Sequence, residues 1–269
     1  MNMSEKKYIY QMQKDSLSSK VTGVKKQKLN AFVSSGLSKN LSRALFFVLL
    51  LTQQLAFSQE RPFITTWSVT DDDEITIPVN PSFTYNFNYV WKDVDEVVVE
   101  SGTHTSTEDV PESFSTGFTN AGSFTLEITG DFPHFQGYPK DKLTDVNQWG
   151  DIVWRSFEES FRDWSGTTFN ASDTPIFDEN ISMLNAFRGA ASFNGDLSEW
   201  NVENVVNMSR VFQDAVAFNG DLSEWDVGKV TTMVGLFENA RSFNGDVSNW
   251  NVSNVTNMES LFFRADSFS

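Results

Sequence analysis

The sequence predicts a β-sandwich followed by an α/β solenoid, with one short strand and one short helix in every 25-residue coil. Three observations carry this. Phe193, Phe218, Phe243 and Phe268 recur every 25 residues, as do Trp200, Trp225, Trp250 and Met208, Met233, Met258. Within each unit the apolar residues fall into two spacings, one fit for a strand and one for a helix face. Between residues 61 and 139, short β-rich runs alternate with turn signals.

The units read FNGDLSEWNVENVVNMSRVFQDAVA, FNGDLSEWDVGKVTTMVGLFENARS and FNGDVSNWNVSNVTNMESLFFRADS, with eleven of 25 positions identical in all three. In the first half of a unit Leu197, Trp200 and Val202 form an apolar L-x-x-W-x-V string, the spacing of the strand segment of a leucine-rich repeat. In the second half Val205, Met208, Phe212 and Ala215 are spaced by three, four and three, one face of a short helix. A single unit cannot bury such a face, whereas stacked units share a continuous core. The Phe-Asn-Gly-Asp corner supplies the turn.

The F-N-G-D, W-x-V, V-x-x-M and F-x-x-A of each unit resemble the repeat of BspA-like bacterial surface proteins, a leucine-rich-repeat-like family, over about Trp149–Ser269. That resemblance implies an extracellular location, adhesion or interaction roles, and no catalytic residues. Residues 141–192 are a divergent entry and cap: Phe157, Phe161 and Trp164, then Met183, Phe187 and Ala190, keep the helix face, and an insertion, Ser165–Asn180, departs from the pattern as a capping loop. The three repeats occupy 193–269. No polar cap follows Phe268, so the chain is expected to be truncated there.

The sandwich is expected over 59–140, with strands at Phe63–Val69, Glu74–Val79, Phe83–Trp91, Glu96–Glu100 and Ser123–Thr129. Breaks fall at Asp71–Asp73, Asn80-Pro81, Ser101-Gly102 and Asn120–Gly122. Tyr89-Val90-Trp91-Lys92-Asp93 and Ala121–Gly130 resemble PKD-like or immunoglobulin-like modules of surface proteins. The W-G-D-G corner of that family is broken, because Lys92 and Val94 stand in place of its glycines.

Residues 1–58 read as an extension and signal peptide. Lys39 and Arg43 precede the apolar run Ala44–Leu51, and Ala56-Phe57-Ser58 follows, with cleavage expected after Ser58. The run is too short to span a bilayer, so the mature chain is expected to have no transmembrane segment. The leader is long, and the true start is expected nearer Leu37.

The formal net charge is −16, and residues 1–43 hold nine of the 20 basic residues, so the remainder is more acidic still. An acidic body repels nucleic acid and anionic lipid. With no cysteine, disulfides, thiolate metal sites and a Cys nucleophile are excluded. His104 and His134 read as lone surface histidines without local ligand partners. Glu158-Glu159 and Asp71-Asp72-Asp73 are pairs any acidic chain contains. No catalytic motif occurs, and no enzymatic activity is expected.

The repeated Asn-Gly-Asp (Asn194 and Asp196, Asn219 and Asp221, Asn244 and Asp246) reads as a ladder of turn-capping side chains, with calcium held by Asp196, Asp221 and Asp246 as the alternative. Trp200, Trp225 and Trp250 read as core, with sugar stacking as the alternative. Ligand-binding residues are expected between the inward positions of the strand face: Glu199, Asn201 and Glu203; Glu224, Asp226 and Gly228; Asn249, Asn251 and Ser253. The function expected is a secreted or cell-surface adhesion or interaction module that takes an extracellular protein or polysaccharide on that face. A calcium- or carbohydrate-binding accessory protein is the alternative.

Overall fold

The computed structural model describes residues 60–106, 113–137 and 140–269; the leader expected at 1–58 lies outside them. Seven strands make the first part: β1 (Phe63–Val69), β2 (Glu74–Ile77), β3 (Tyr85–Lys92), β4 (Val98–Ser106), β5 (Phe114–Gly117), β6 (Gly122–Asp131) and β7 (Leu143–Gln148). They pair as one antiparallel five-stranded sheet, β4-β3-β6-β1-β7, and a separate antiparallel ribbon, β2-β5. β1 alternates as a half-buried strand must, with Phe63, Thr65, Trp67 and Val69 inward. Its core is aromatic: Trp67 meets Trp91 edge-on at 5.9 Å, and Trp91 meets Phe118 at 5.1 Å.

The second part corrects the expected solenoid. No helix occurs among the described residues, and the stretch Val205–Ala215, expected as a helix, is a short strand followed by successive turns. An α-helix sends each N–H to the carbonyl four residues back. Here the N–H groups alternate instead. Met208, Arg210, Phe212 and Asp214 donate to the carbonyls of Thr232, Val234, Leu236 and Glu238 in the next coil, at 2.8–3.0 Å. Between them Val211, Gln213 and Ala215 close turns onto Met208, Arg210 and Phe212. The pattern recurs in each coil from Phe157 to Asn239, so five turn segments, from Phe157–Asp163 to Met258–Arg264, stack as one ladder.

Each segment needs a left-handed residue at two fixed places. Asn185, Arg210, Gly235 and Ser260 fill one, with φ of 57–59°, and Gly189, Asp214, Asn239 and Arg264 the other, with φ of 56–71°. A non-glycine residue there costs about 1–2 kcal/mol, which the inter-coil hydrogen bonds outweigh. A helix of about ten residues is marginal alone, and two β-branched residues lead into the segment (Val205-Val206 and Thr231-Thr232). The four-residue turn advance places Val205, Met208, Phe212 and Ala215 inward at the helix-like spacing, and all four are buried.

The expected strand half is corrected too. Leu197–Val205 holds two turns, closed by Trp200 N–H to the Leu197 carbonyl and Val205 N–H to the Val202 carbonyl. The short parallel pairs lie elsewhere: β8 (Val153–Trp154) with β9 (Ile176–Phe177), and β10 (Ile181–Ser182) with β11 (Val205–Asn207), continued by the bridges Asn207–Thr232–Asn257.

Phenylalanines stack through the middle of the coils. Phe212 lies 3.9 Å from Phe218 and 5.7 Å from Phe237, with ring planes within 7°. Phe237 repeats this with Phe243 and Phe262. Each such pair adds about 0.5–1.5 kcal/mol beyond its burial.

Sheet and coils share one core. Trp149 stacks on Phe63 at 5.8 Å and meets Trp200 edge-on at 5.3 Å. Gly150, at φ 68°, sits where a Cβ would lie 2.3 Å from the carbonyl oxygens of Arg61 and Pro62. Asp173 receives the N–H groups of Trp149 and Gly150 and pairs with Arg61.

Gly150→Ala is therefore expected to destabilise the chain by about 3 kcal/mol in urea melts. Far-UV circular dichroism of residues 60–269 is expected to lack the helical double minimum.

Candidate interaction surface

The coil stack sets residues 25 apart side by side, so each outward position becomes a row. All seven residues expected to bind, Glu199, Asn201, Glu203, Glu224, Asp226, Asn249 and Asn251, are exposed, but on turns rather than on a strand face. The structure divides them by use. Asn201, Asp226 and Asn251 cap their own turns: each side-chain oxygen accepts the N–H two residues on, from Glu203 at 3.1 Å, Gly228 at 2.9 Å and Ser253 at 3.2 Å. These are local Asx turns. Among the described residues the side chains of Glu199, Glu203, Glu224 and Asn249 make no hydrogen bond or ion pair. The row Glu199, Glu224, Asn249 thus offers two carboxylates and an amide to solvent without a structural task.

Asp196, Asp221 and Asp246 cap in the same way, accepting the N–H of Ser198, Ser223 and Ser248 at 2.9–3.0 Å. Those backbone donors hold the three carboxyls below the usual aspartate range. Among the described residues no group of three or more His, Cys, Asp or Glu side chains is arranged to hold a metal ion. Asn194, Asn219 and Asn244 tie coil to coil: Asn194 Oδ1 accepts Asn219 N–H at 2.8 Å, and Asn219 Oδ1 accepts Asn244 N–H at 2.8 Å. The indole N–H groups of Trp225 and Trp250 donate to the carbonyls of Leu197 and Leu222, one coil back. Trp200 and Trp225 are buried, and their rings are closed to a ligand.

Both histidines depart from the surface reading. His134 is buried, its Nε2 2.8 Å from the Glu158 carbonyl, and burial holds its pKa below the usual value. His104 lies within β4 against Phe87, ring centroids 5.2 Å apart. Asp73 is drawn down to about 2, chiefly by its bond to Lys142 and then by Thr70 N–H.

Two features lay outside the sequence reading. Lys229 Nζ donates to Asn204 Oδ1 at 2.7 Å, and Asn254 Nδ2 to the Gly228 carbonyl at 2.6 Å, a polar row beside the free carboxylates. A cleft of about 360 Å³ opens between β7 and the inserted loop, lined by Thr144, Asp145, Ser165, Thr167, Thr168 and Asn170. Lys229 breaks an otherwise Asn-only position of the repeat, a signal the sequence carried; the cleft exists only once the insertion folds back on β7.

Residues 155–269 match the family model described as "Mycoplasma protein of unknown function, DUF285". No curated protein matches the chain, and no solved structure does. The matched span holds all five turn segments. Among the described residues no helix is long and apolar enough to cross a membrane.

Two acid transitions are expected. A His whose folded pKa lies below its unfolded value leaves stability unchanged above about 6.5; below that the unfolded chain takes the proton first, and stability falls. Asp73 contributes stability that is full above about 3.8 and lost as the pH falls toward about 2. His134→Phe is expected to remove the loss of melting temperature that begins below about pH 6.5 and leave the lower one intact. Chelator and added calcium are expected to leave the melting temperature unchanged, because Asp196, Asp221 and Asp246 already serve as caps.

Proposed function

We propose that this chain is an interaction module of a secreted or cell-surface protein, and that its coil stack presents the recognition surface for an extracellular protein or polysaccharide. One observation carries this: the free side chains of Glu199, Glu224 and Asn249 stand at one position of three consecutive coils, beside capped residues that fix the turns. A rigid row at regular spacing suits an extended partner, because each coil repeats the same contact. Its acidity suits a basic protein patch or a hydrated, cation-bearing glycan.

The sheet serves as scaffold in this reading, since it closes one end of the stack on a shared core. The likeness of the repeat to BspA-like surface proteins points the same way, as does the leader pattern at Lys39–Ser58, which lies outside the described residues. The matched family is of unknown function and adds no activity. The sugar-stacking reading draws no support from Trp200 or Trp225, whose rings are buried.

The test is binding of the mature chain to an array of polysaccharides and extracellular proteins, with and without calcium. A variant carrying Glu199→Lys, Glu224→Lys and Asn249→Lys leaves every cap in place. It is expected to keep the parent's melting temperature and lose binding about tenfold or more, as expected when charge is reversed at a contact surface. Binding retained by this variant would remove the row from the recognition surface.

A further inference from the structure

The five-stranded sheet has two edges, and the chain treats them differently. The β7 edge is closed. The Val146 carbonyl accepts the N–H groups of Asn170 and Ala171 at 3.1 and 3.0 Å, and the Leu143 carbonyl accepts the Trp164 indole at 2.7 Å. The β4 edge is bare. Apart from its pairing with β3, no backbone hydrogen bond reaches Val98–Ser106 among the described residues. This nine-residue edge strand has neither Pro nor Lys, two common devices that blunt pairing with another chain, and its one bulge sits near its start, at Val99.

The same edge gathers exposed apolar surface. Val94, Val97, Val98 and Val99 are 75%, 56%, 52% and 47% exposed. Ten large apolar side chains are exposed among the described residues, and four of them fall within six consecutive positions here. The register against β3 slips between Trp91 and Lys92, which leaves Val99 as the extra residue of a β-bulge, and Val98 and Val99 together form an exposed apolar contact for an added strand.

Charge selects the partner. Asp93, Asp95, Glu96 and Glu100 surround the valines. The nearby cation, Lys92, already pairs with Glu127 at 2.5 Å and Glu96 at 3.6 Å. Asp93 is further fixed by accepting the N–H groups of Asp95 and Val97, so the hairpin tip is rigid. A second copy that laid its own Val98 and Val99 antiparallel on these would bring Glu96 and Glu100 of the two copies alongside each other, and like charges across a strand pair destabilise it.

We propose that the β4 edge is a docking site for an extended peptide in which β-branched apolar residues alternate with Lys or Arg. The peptide joins the sheet as a sixth strand. Its backbone takes the free N–H and C=O groups of β4, its apolar side chains lie on Val98 and Val99, and its cations meet Asp95, Glu96 and Glu100. This is strand addition, in which the main chain supplies affinity and the side chains specificity. The site is separate from the coil row and stands whether or not that row binds.

The experiment is fluorescence anisotropy of the full chain with a labelled peptide of alternating valine and lysine. Two companion peptides are needed, one with a central proline and one with glutamate for lysine. The alternating peptide is expected to bind and to weaken as salt rises. The proline peptide, lacking a central N–H, and the glutamate peptide are each expected to bind at least about tenfold more weakly. Val98→Lys and Val99→Lys, at exposed positions outside the core, are expected to keep the melting temperature and lose affinity by a similar factor. Any one of three results overturns the proposal: no binding of the alternating peptide, equal binding of the three peptides, or unchanged affinity in both folded variants. Light scattering that detects a dimer abolished by Val99→Lys would assign the edge to a second copy and overturn it as well.

Discussion

Every coil depends on one arrangement of backbone hydrogen bonds: alternate N–H groups reach the next coil, and the intervening ones close turns within their own. A buried polar backbone group left unpaired costs about as much as a lost hydrogen bond, and this alternation leaves few between the coils. It demands left-handed backbone at two places per coil, and it accepts Arg210, Ser260 and Arg264 there because the ladder fixes the conformation. It also sets the coil length, since the chain must return to the same register after 25 residues for Phe212 to lie on Phe237 and Phe218 on Phe243.

A ladder of this kind has ends, and an end is an edge. The sheet closes one. Trp149 bridges the Phe63 side of the sheet and the Trp200 side of the coils, and Gly150 lets the chain pass against Arg61 and Pro62 where no side chain fits. The inserted loop then seals β7 through Asn170 and Ala171. The fold gives no structural task to the valine edge of β4 or to the row Glu199, Glu224 and Asn249. The capped side chains are different, because moving Asn201, Asp226 or Asn251 onto a ligand would release a turn.

Much of this was legible before any coordinates. β1 matches its expected span, and β2, β3 and β6 are close to theirs, because alternation between turn residues is a local signal. β5 and β7 were not legible: Phe114–Gly117 is four residues, and Leu143–Gln148 has little alternation. β4 was expected to stop at Glu100, but it runs on through Gly102, where Tyr89 leans over the missing side chain and donates to Glu100. His134 looked like a surface residue because its burial depends on Phe83 and Glu158, which are distant in sequence.

The sequence by itself determined the period, the inward residues and the capping corners, because each is written in residue type at fixed spacing. Val205, Met208, Phe212 and Ala215 point inward as their spacing requires. Only the tertiary structure decided that they do so from turns rather than a helix. Both conformations bury the same face, and the choice rests on hydrogen bonds between residues about 24 apart. The left-handed positions that mark those turns carry Asn, Arg, Gly and Ser in successive coils, so residue type leaves them unmarked. The division of the polar rows into caps and free groups was decided there too, because it depends on which side chain lies within reach of a backbone N–H.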